Sequence, residues 1–567
     1  MYKSIFRTTL VILLSFAVSC SDDFLELDNK NALTDGSFYQ TQEDFWMALN
    51  SLYGPLAHGG VFGLQMQFVF GSFEDRILFE TPGMDQLTAI NASSNQVSTI
   101  YRDLYMGLYR TNMFIKMINE RQNVEGLSQS MRNLYLAQAR ALRGAYLFYL
   151  VTIFNEPPFY DDKTIPEDFN IPMTNGNPQN FWDLIKEDLL FGYENLPEQY
   201  GPSDAGRLTS GAAGAFLGKA MLFKHFYYYV RNGNKGSAED LADLRLAMQT
   251  LREVIQSGNY SLVKPQDPKS RNDYIYALLS NSSYVDLPVG DNLYIAENNQ
   301  ESVWEVQYTD ERMQSGWLPG WQWSGAMNAG WFSPHTSSFR NHEAHPDLWL
   351  AFETEGAPDG FDRDPRAYAT LYLDGERMDF REDSPYYRNY LSGVNNKLIA
   401  RSRGLIPRTD NPFPTNGFGL KKYYFPVFYE SSAPLNDPIN RRVIRFADVL
   451  LMYAEVTHLL GENTTEGLQA LNRVRGRVDM PSVAALTKEA IIHERDVELA
   501  LESHRWFDLI RWSFDPEWGI DMRQILSRQL APEGDGGFYV KGKHEFLPLP
   551  IQEINLSEGN LKQNPGW

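Results

Sequence analysis

The chain has 567 residues, 43% of them hydrophobic and 14% aromatic, with a formal charge of −21 and a single cysteine, Cys20. That composition supplies a large core, for one globular body or two joined subdomains, and excludes intrachain disulfides and multi-thiolate metal sites. The acidity argues against non-specific capture of nucleic acid, whose phosphates favour dense Lys and Arg surfaces; it suits neutral or cationic ligands instead.

In chain order, the first element is a targeting segment. Lys3 and Arg7 precede the apolar run Leu10 to Val18, which ends at Ser19 before Cys20. The run is shorter than the ~20 apolar residues that span a bilayer. An ordinary secretion signal cut near residue 20 is one reading. The lone cysteine directly after the run supports another: LLSFAVSC resembles a bacterial lipoprotein lipobox, with Ala17 where that motif prefers Leu. The resemblance implies a signal peptide over 1–19, Cys20 as the acylated N-terminus, and a tether over 20–36. Acyl chains of that kind anchor stably. The following SDDFLE is similar to the acidic signal of surface lipoproteins in Bacteroidetes-type bacteria, or else is a solvated tether.

Helical periodicity dominates the next region, 37–261. In YLAQARALRGAYLFYLV, Ala137, Ala141 and Ala145 recur every fourth residue beside a bulky stripe of Leu142, Tyr146 and Tyr149. Small stripes let helices approach closely. SGAAGAFLGKAMLFKHFYYYV repeats the device with Gly214 and Gly218. Residues 262–440 lose the helical period and are rich in Pro, Gly, Asn, Asp, Tyr and Trp. An insertion of this length carries function or its own structure, here a loop-rich ligand lobe with short strands such as SVWEVQY at 302–308. Periodicity returns over 441–567, first in RFADVLLMYAEVTHLLGE, where Gly461 is the expected helix stop. The whole reads as a mainly α, tetratricopeptide-like helical-repeat scaffold bearing an irregular lobe.

The blocks IRFADVLLMYAEVTHLLGE, LNRVRGRVD, ERDVELALESHRWFDLIRW and FLPLPIQEINLSEGNLKQNPGW stand in the order found in the SusD/RagB family. LRGAYLFYLVTIFNEPPF and GRLTSGAAGAFLGKAMLF resemble its N-terminal blocks. The resemblance covers nearly the whole chain. It implies an outer-membrane lipoprotein on the extracellular face that delivers a captured nutrient to a SusC-type TonB-dependent barrel. Most such proteins bind glycans and the RagB branch handles peptides; the ligand here is an oligosaccharide or polysaccharide, with peptide capture and a glycan-degrading enzyme as the alternatives.

No segment supplies a catalytic constellation or a cofactor fingerprint. On a helix, Arg495, Glu498, Glu502, Arg505, Asp508 and Arg511 fall three or four apart on one polar face. Each acid has a cation within a turn, which keeps it ionised and unsuited to proton donation; the face reads as a salt-bridge network. NHEAHPDLW places His342, Glu343 and His345 at the wrong spacing for a zinc helix, and with Pro346 it reads as a turn. The strongest ligand signal is SGWLPGWQWSGAMNAGWFSP. Its Trp317, Trp321, Trp323 and Trp331, interleaved with Gly and Pro, can offer indole faces to sugar rings or pack the lobe onto the helices. In the family, ligand contacts also come from the segment here written GSFEDRILFETPGMDQLTAINASSNQ. It offers Asp75, Arg76, Asn91 and Asn95 to hydroxyls, and Phe79 as its nearest aromatic platform; loop capping is the competing role for the polar four.

Overall fold

The elements run α1 (Gln42–Ala57), α2 (Gln65–Phe73), β1 (Ile77–Phe79), α3 (Asn95–Glu120), α4 (Gln129–Phe154), α5 (Pro178–Asn195), α6 (Ser210–Lys224), α7 (Ala238–Gln256) and α8 (Arg271–Leu279). Next come β2 (Leu287–Val289), β3 (Asn292–Tyr294), β4 (Ser302–Val306), β5 (His342–Ala344), α9 (Pro346–Ala351), α10 (Arg366–Thr370), β6 (Leu371–Tyr372) and β7 (Gly419–Leu420). The chain closes with β8 (Arg441–Arg445), α11 (Phe446–Leu460), α12 (Thr464–Gly476), α13 (Lys488–Glu498), α14 (Arg505–Ser513), α15 (Met522–Leu530) and α16 (Ile551–Leu556). This computed structural model describes residues 38–79, 87, 89–165, 173–267, 269–282, 287–289, 292–308, 342–372, 418–422, 439–530 and 539–567.

The fold is mainly α, as the periodicity predicts. From α3 to α7 each helix packs on the next, and α7 then packs on α11, so the helical array closes across the insertion. The small stripe permits this. Ala137, Ala141 and Ala145 are fully buried on α4, and Gly192 of α5 sits so close that an added Cβ would stand 2.8 Å from Ala141 Cβ. A Cβ on Gly218 of α6 would stand 2.5 Å from Leu251 Cγ of α7. Gly218→Val is therefore expected to lower stability by about 1–3 kcal/mol, through overpacking against Leu251; chemical denaturation checks it.

Helix ends follow their sequence signals. Thr41 and Asp44 form a capping box on α1, and Gly461 ends α11 in the left-handed region at φ 65°. The C-terminal motif closes α4, whose last carbonyls lack intrahelical donors. Leu547 N donates to Ile153 O at 2.8 Å and Asn564 Nδ2 to Phe154 O at 3.0 Å. The four sheets of the described residues are two-stranded and antiparallel, pairing β1 with β5, β2 with β3, β4 with β8 and β6 with β7. Of these, β4 with β8 ties the insertion to the start of α11 through Ser302↔Arg445 and Val306↔Arg441; SVWEVQY is the strand expected.

Two local expectations are corrected. The charged run from Arg495 to Arg511 is two helices, broken after Glu498, with Leu501 at φ 65° and Ser503 at φ 62°. The break is stabilised from outside the run: Lys422 Nζ donates to Glu498 O and Ala500 O, and Gln67 Nε2 to Leu501 O at 2.9 Å. Carbonyls that a longer helix would satisfy internally are satisfied by side chains. Second, NHEAHPDLW is strand β5 followed by helix α9 rather than a turn. Pro346 occupies the first helical position, where its missing N–H costs nothing, and His345 Nδ1 accepts from Asp347 N at 3.0 Å as the N-cap.

Candidate functional site

The polar face read from Arg495 to Arg511 is buried and forms the clamp between insertion and scaffold. Glu498 of α13 accepts from Arg366 of α10 at 3.0 Å, and from Arg445 at the end of β8 and Arg477 after α12. Glu301, just before β4, accepts from Arg445 at 2.8 Å and Arg477 at 2.9 Å. Burial works to raise the Glu498 pKa, and the guanidinium groups of Arg477, Arg445 and Arg366 outweigh it, holding the carboxyl well below its usual range. Glu502 is held at about 2 against the same burial, by Arg445 and Lys422. Acids so held cannot donate a proton near neutrality.

On this clamp sits a small strand platform. β5 pairs with β1 in the register Ile77↔Ala344, Leu78↔Glu343 and Phe79↔His342, and Ala344 bridges Phe418 on its other side through bonds of 2.8 and 2.9 Å. Trp349 stacks on Phe418 at 5.4 Å, and the Arg363 guanidinium covers the Trp349 ring at 3.9 Å. The register pairs Ile77–Phe79, inside the first segment singled out from sequence, with His342–Ala344, a strand that begins eleven residues after Trp331. Trp317, Trp321, Trp323 and Trp331 themselves lie outside the described residues, as does the Phe79 side chain.

The structure gives Asp75 and Arg76 other work than gripping hydroxyls. Arg505 of α14 donates twice to Asp75, at 2.9 and 3.1 Å, and Arg76 donates to Asp496 of α13 at 3.1 Å. Burial opposes the charge on Asp75, yet Arg505 holds its carboxyl at about 2. This pairing fastens β1, and with it the platform, to the C-terminal helices. Asn91 makes an Asx turn, its Oδ1 accepting from Ser93 N at 2.9 Å, which is the capping role. Asn95 is exposed at the first position of α3. Nothing in the sequence pairs residue 79 with residue 342; only the backbone register does.

Comparison with known proteins agrees with this architecture. Residues 300–567 match the SusD family, and residues 23–222 match a family described as starch-binding associating with outer membrane. A SusD-like protein of Bacteroides ovatus is 24% identical, the alignment covering 96% of this chain and 94% of that one. Among solved structures, a SusD superfamily protein from Bacteroides vulgatus has a TM-score of 0.67 at 22% identity, over 94% of this chain and all of that one. A laminarin-binding SusD-like protein has a TM-score of 0.67 at 23% identity, over 93% of this chain and all of that one. The fold is that of the SusD-like proteins. The chain belongs to the SusD/RagB family.

Proposed function

We propose that this protein captures an oligosaccharide at the cell surface, without turning it over, and passes it to a SusC-type TonB-dependent barrel. The carrying observation is the β1–β5 register on a SusD-family scaffold, which pairs Ile77–Phe79 of the first sequence-predicted ligand segment with His342–Ala344. Membership of the family, and a fold neighbour named for laminarin binding, favour a glycan over a peptide. The tryptophans at 317, 321, 323 and 331 supply the stacking faces, with Asn91 and Asn95 as polar contacts; Asp75 and Arg76 hold the platform.

The test is paired calorimetry and melting on the four Trp→Ala variants, with the ligand taken from a glycan array run beside a peptide screen. A stacking tryptophan is expected to cost roughly 5- to 150-fold in affinity, about 1–3 kcal/mol by analogy with base stacking, at an unchanged melting temperature. A core tryptophan would lower the melting temperature instead. Steady release of new reducing ends from the bound glycan would sink the reading altogether.

Acylation at Cys20 follows from the lipobox resemblance and the lone cysteine. Cys20→Ala is expected to move the protein from the outer-membrane fraction to the soluble fraction and to abolish metabolic lipid labelling. Recovery of the barrel with tagged protein after mild detergent extraction tests the partner.

A further inference from the structure

An open cleft of about 750 Å³ lies apart from the strand platform, between the segment that follows α7, the turn after β3, and α12. It has the volume of a ligand site. Two further cavities, of about 40 and 20 Å³, lie against the buried ion pairs and have room for little more than water.

The lining of the cleft is chemically unusual for this protein. Among the described residues it contains Lys264 and Arg473 and no Asp or Glu, in a chain of net charge −21. Both side chains are exposed, and neither forms an ion pair with a carboxylate among the described residues. Arg473 lies over the Phe446 ring at 4.9 Å, which fixes the guanidinium without neutralising it. The adjacent carboxylate, Glu297, is turned away to accept from Asn440 N at 2.8 Å. Around the two cations stand the carboxamides of Gln266, Asn298 and Gln300, which both donate and accept, and the exposed apolar side chain of Ile295. Unpaired cations are competent for carboxylate or sulfate through charge-assisted hydrogen bonds, carboxamides for hydroxyls, and Ile295 for the C–H face of a ring.

We propose that this cleft is a second binding subsite, taking the anionic group of an acidic oligosaccharide, a uronate carboxylate or a sulfate ester, on Lys264 and Arg473. The saccharide body rests on the glycan reading above; the anion rests on the two cations alone.

The test is calorimetry on the full protein with three probes: an oligogalacturonate, its carboxyl-reduced neutral counterpart, and a sulfated oligosaccharide. At least one anionic probe is expected to bind, with affinity falling as salt rises, and the one that binds distinguishes carboxylate from sulfate. Lys264→Gln and Arg473→Gln are each expected to weaken it about 10-fold, the loss of one charge-assisted contact, while Arg473→Lys retains most of the affinity. Lys264 bonds to no described residue, so its variant keeps the fold. Failure of both anionic probes to bind, equal binding by the neutral counterpart, or full affinity in the double variant would overturn the proposal. An acidic peptide that binds more tightly, with the same two variants weakening it, would overturn the saccharide assignment. If the platform binds no glycan while the cleft still binds the anionic probe, the functional reading falls and this site stands.

Discussion

Glu498→Ala is expected to destabilise the protein by about 3–5 kcal/mol, the cost of breaking a buried ion pair from one side. The substitution leaves Arg366, Arg445 and Arg477 facing one another with only part of their counter-charge, on Glu301, Asp364, Glu494 and Glu502. All three guanidinium groups are nearly inaccessible, with 2–4% of their side-chain surface exposed, so water cannot replace the lost carboxylate. The effect should concentrate on the insertion, because Arg366 belongs to it while Arg445 and Arg477 belong to the scaffold. Urea denaturation and limited proteolysis read both consequences. The exposed pair Arg245–Glu462 serves as control: Glu462→Ala should be indistinguishable from wild type, since solvent screens that pair. If Glu498→Ala melted like the control, the clamp would not hold the lobe.

Stability should also fall in acid, in two limbs. Burial pushes the His504 imidazole down to about 4 from the ordinary 6.5. Between those values the unfolded chain binds a proton that the folded one refuses, so stability present above pH 6.5 is lost as the pH falls towards 4. A gap of that size is worth about 3 kcal/mol. The second limb comes from Glu502, Glu353 and Asp75, each held at about 2 by cationic partners. Their contribution is intact above about pH 4.5 and disappears on the way to 2. Other groups work the opposite way: the ion pair with Glu353 raises His493 against its burial, and burial raises Glu74 and Glu553, so their contributions fade as the pH rises through their folded values. Thermal melts from pH 8 to 3 should show the decline, and His504→Gln should remove the limb between 6.5 and 4 while leaving the lower one. A variant with the same upper limb as wild type would assign that limb to another group.

The residues read from the sequence differ in how far local pattern could carry them. The stripe Ala137, Ala141 and Ala145 was enough to predict both the helix and its close neighbour, because a 3.6-residue period fixes which side chains share a face. Gly461 was enough to end α11, because a left-handed cap needs only that residue. The acidic and basic residues from Arg495 to Arg511 were legible as a salt-bridge network, and their burial and the break between two helices were not. The carbonyls in that break are held by Lys422 and Gln67, the latter more than 430 residues away in the chain.

The candidate site divides the same way. Loop-borne tryptophans beside Gly and Pro can be singled out as a candidate ligand segment from composition alone, whereas the pairing of Phe79 with His342 is a register across more than 260 residues. Asp75 and Arg76 have the hydrogen-bonding capacity of ligand contacts, and only their contacts with Arg505 and Asp496 reveal that it is already used. Net charge carries least about a site, because it is a sum over the whole surface and a ligand meets a local field. A chain of −21 suits neutral or cationic ligands as a whole, while folding gathers Lys264 and Arg473, over 200 residues apart, into a cleft with no carboxylate among its described lining residues. Periodicity, caps and targeting signals are properties of adjacent residues, and the sequence determines them by itself. Which charges meet, which strands pair and which cations stay unpaired are decided by contacts between distant residues, which exist only once the chain is folded.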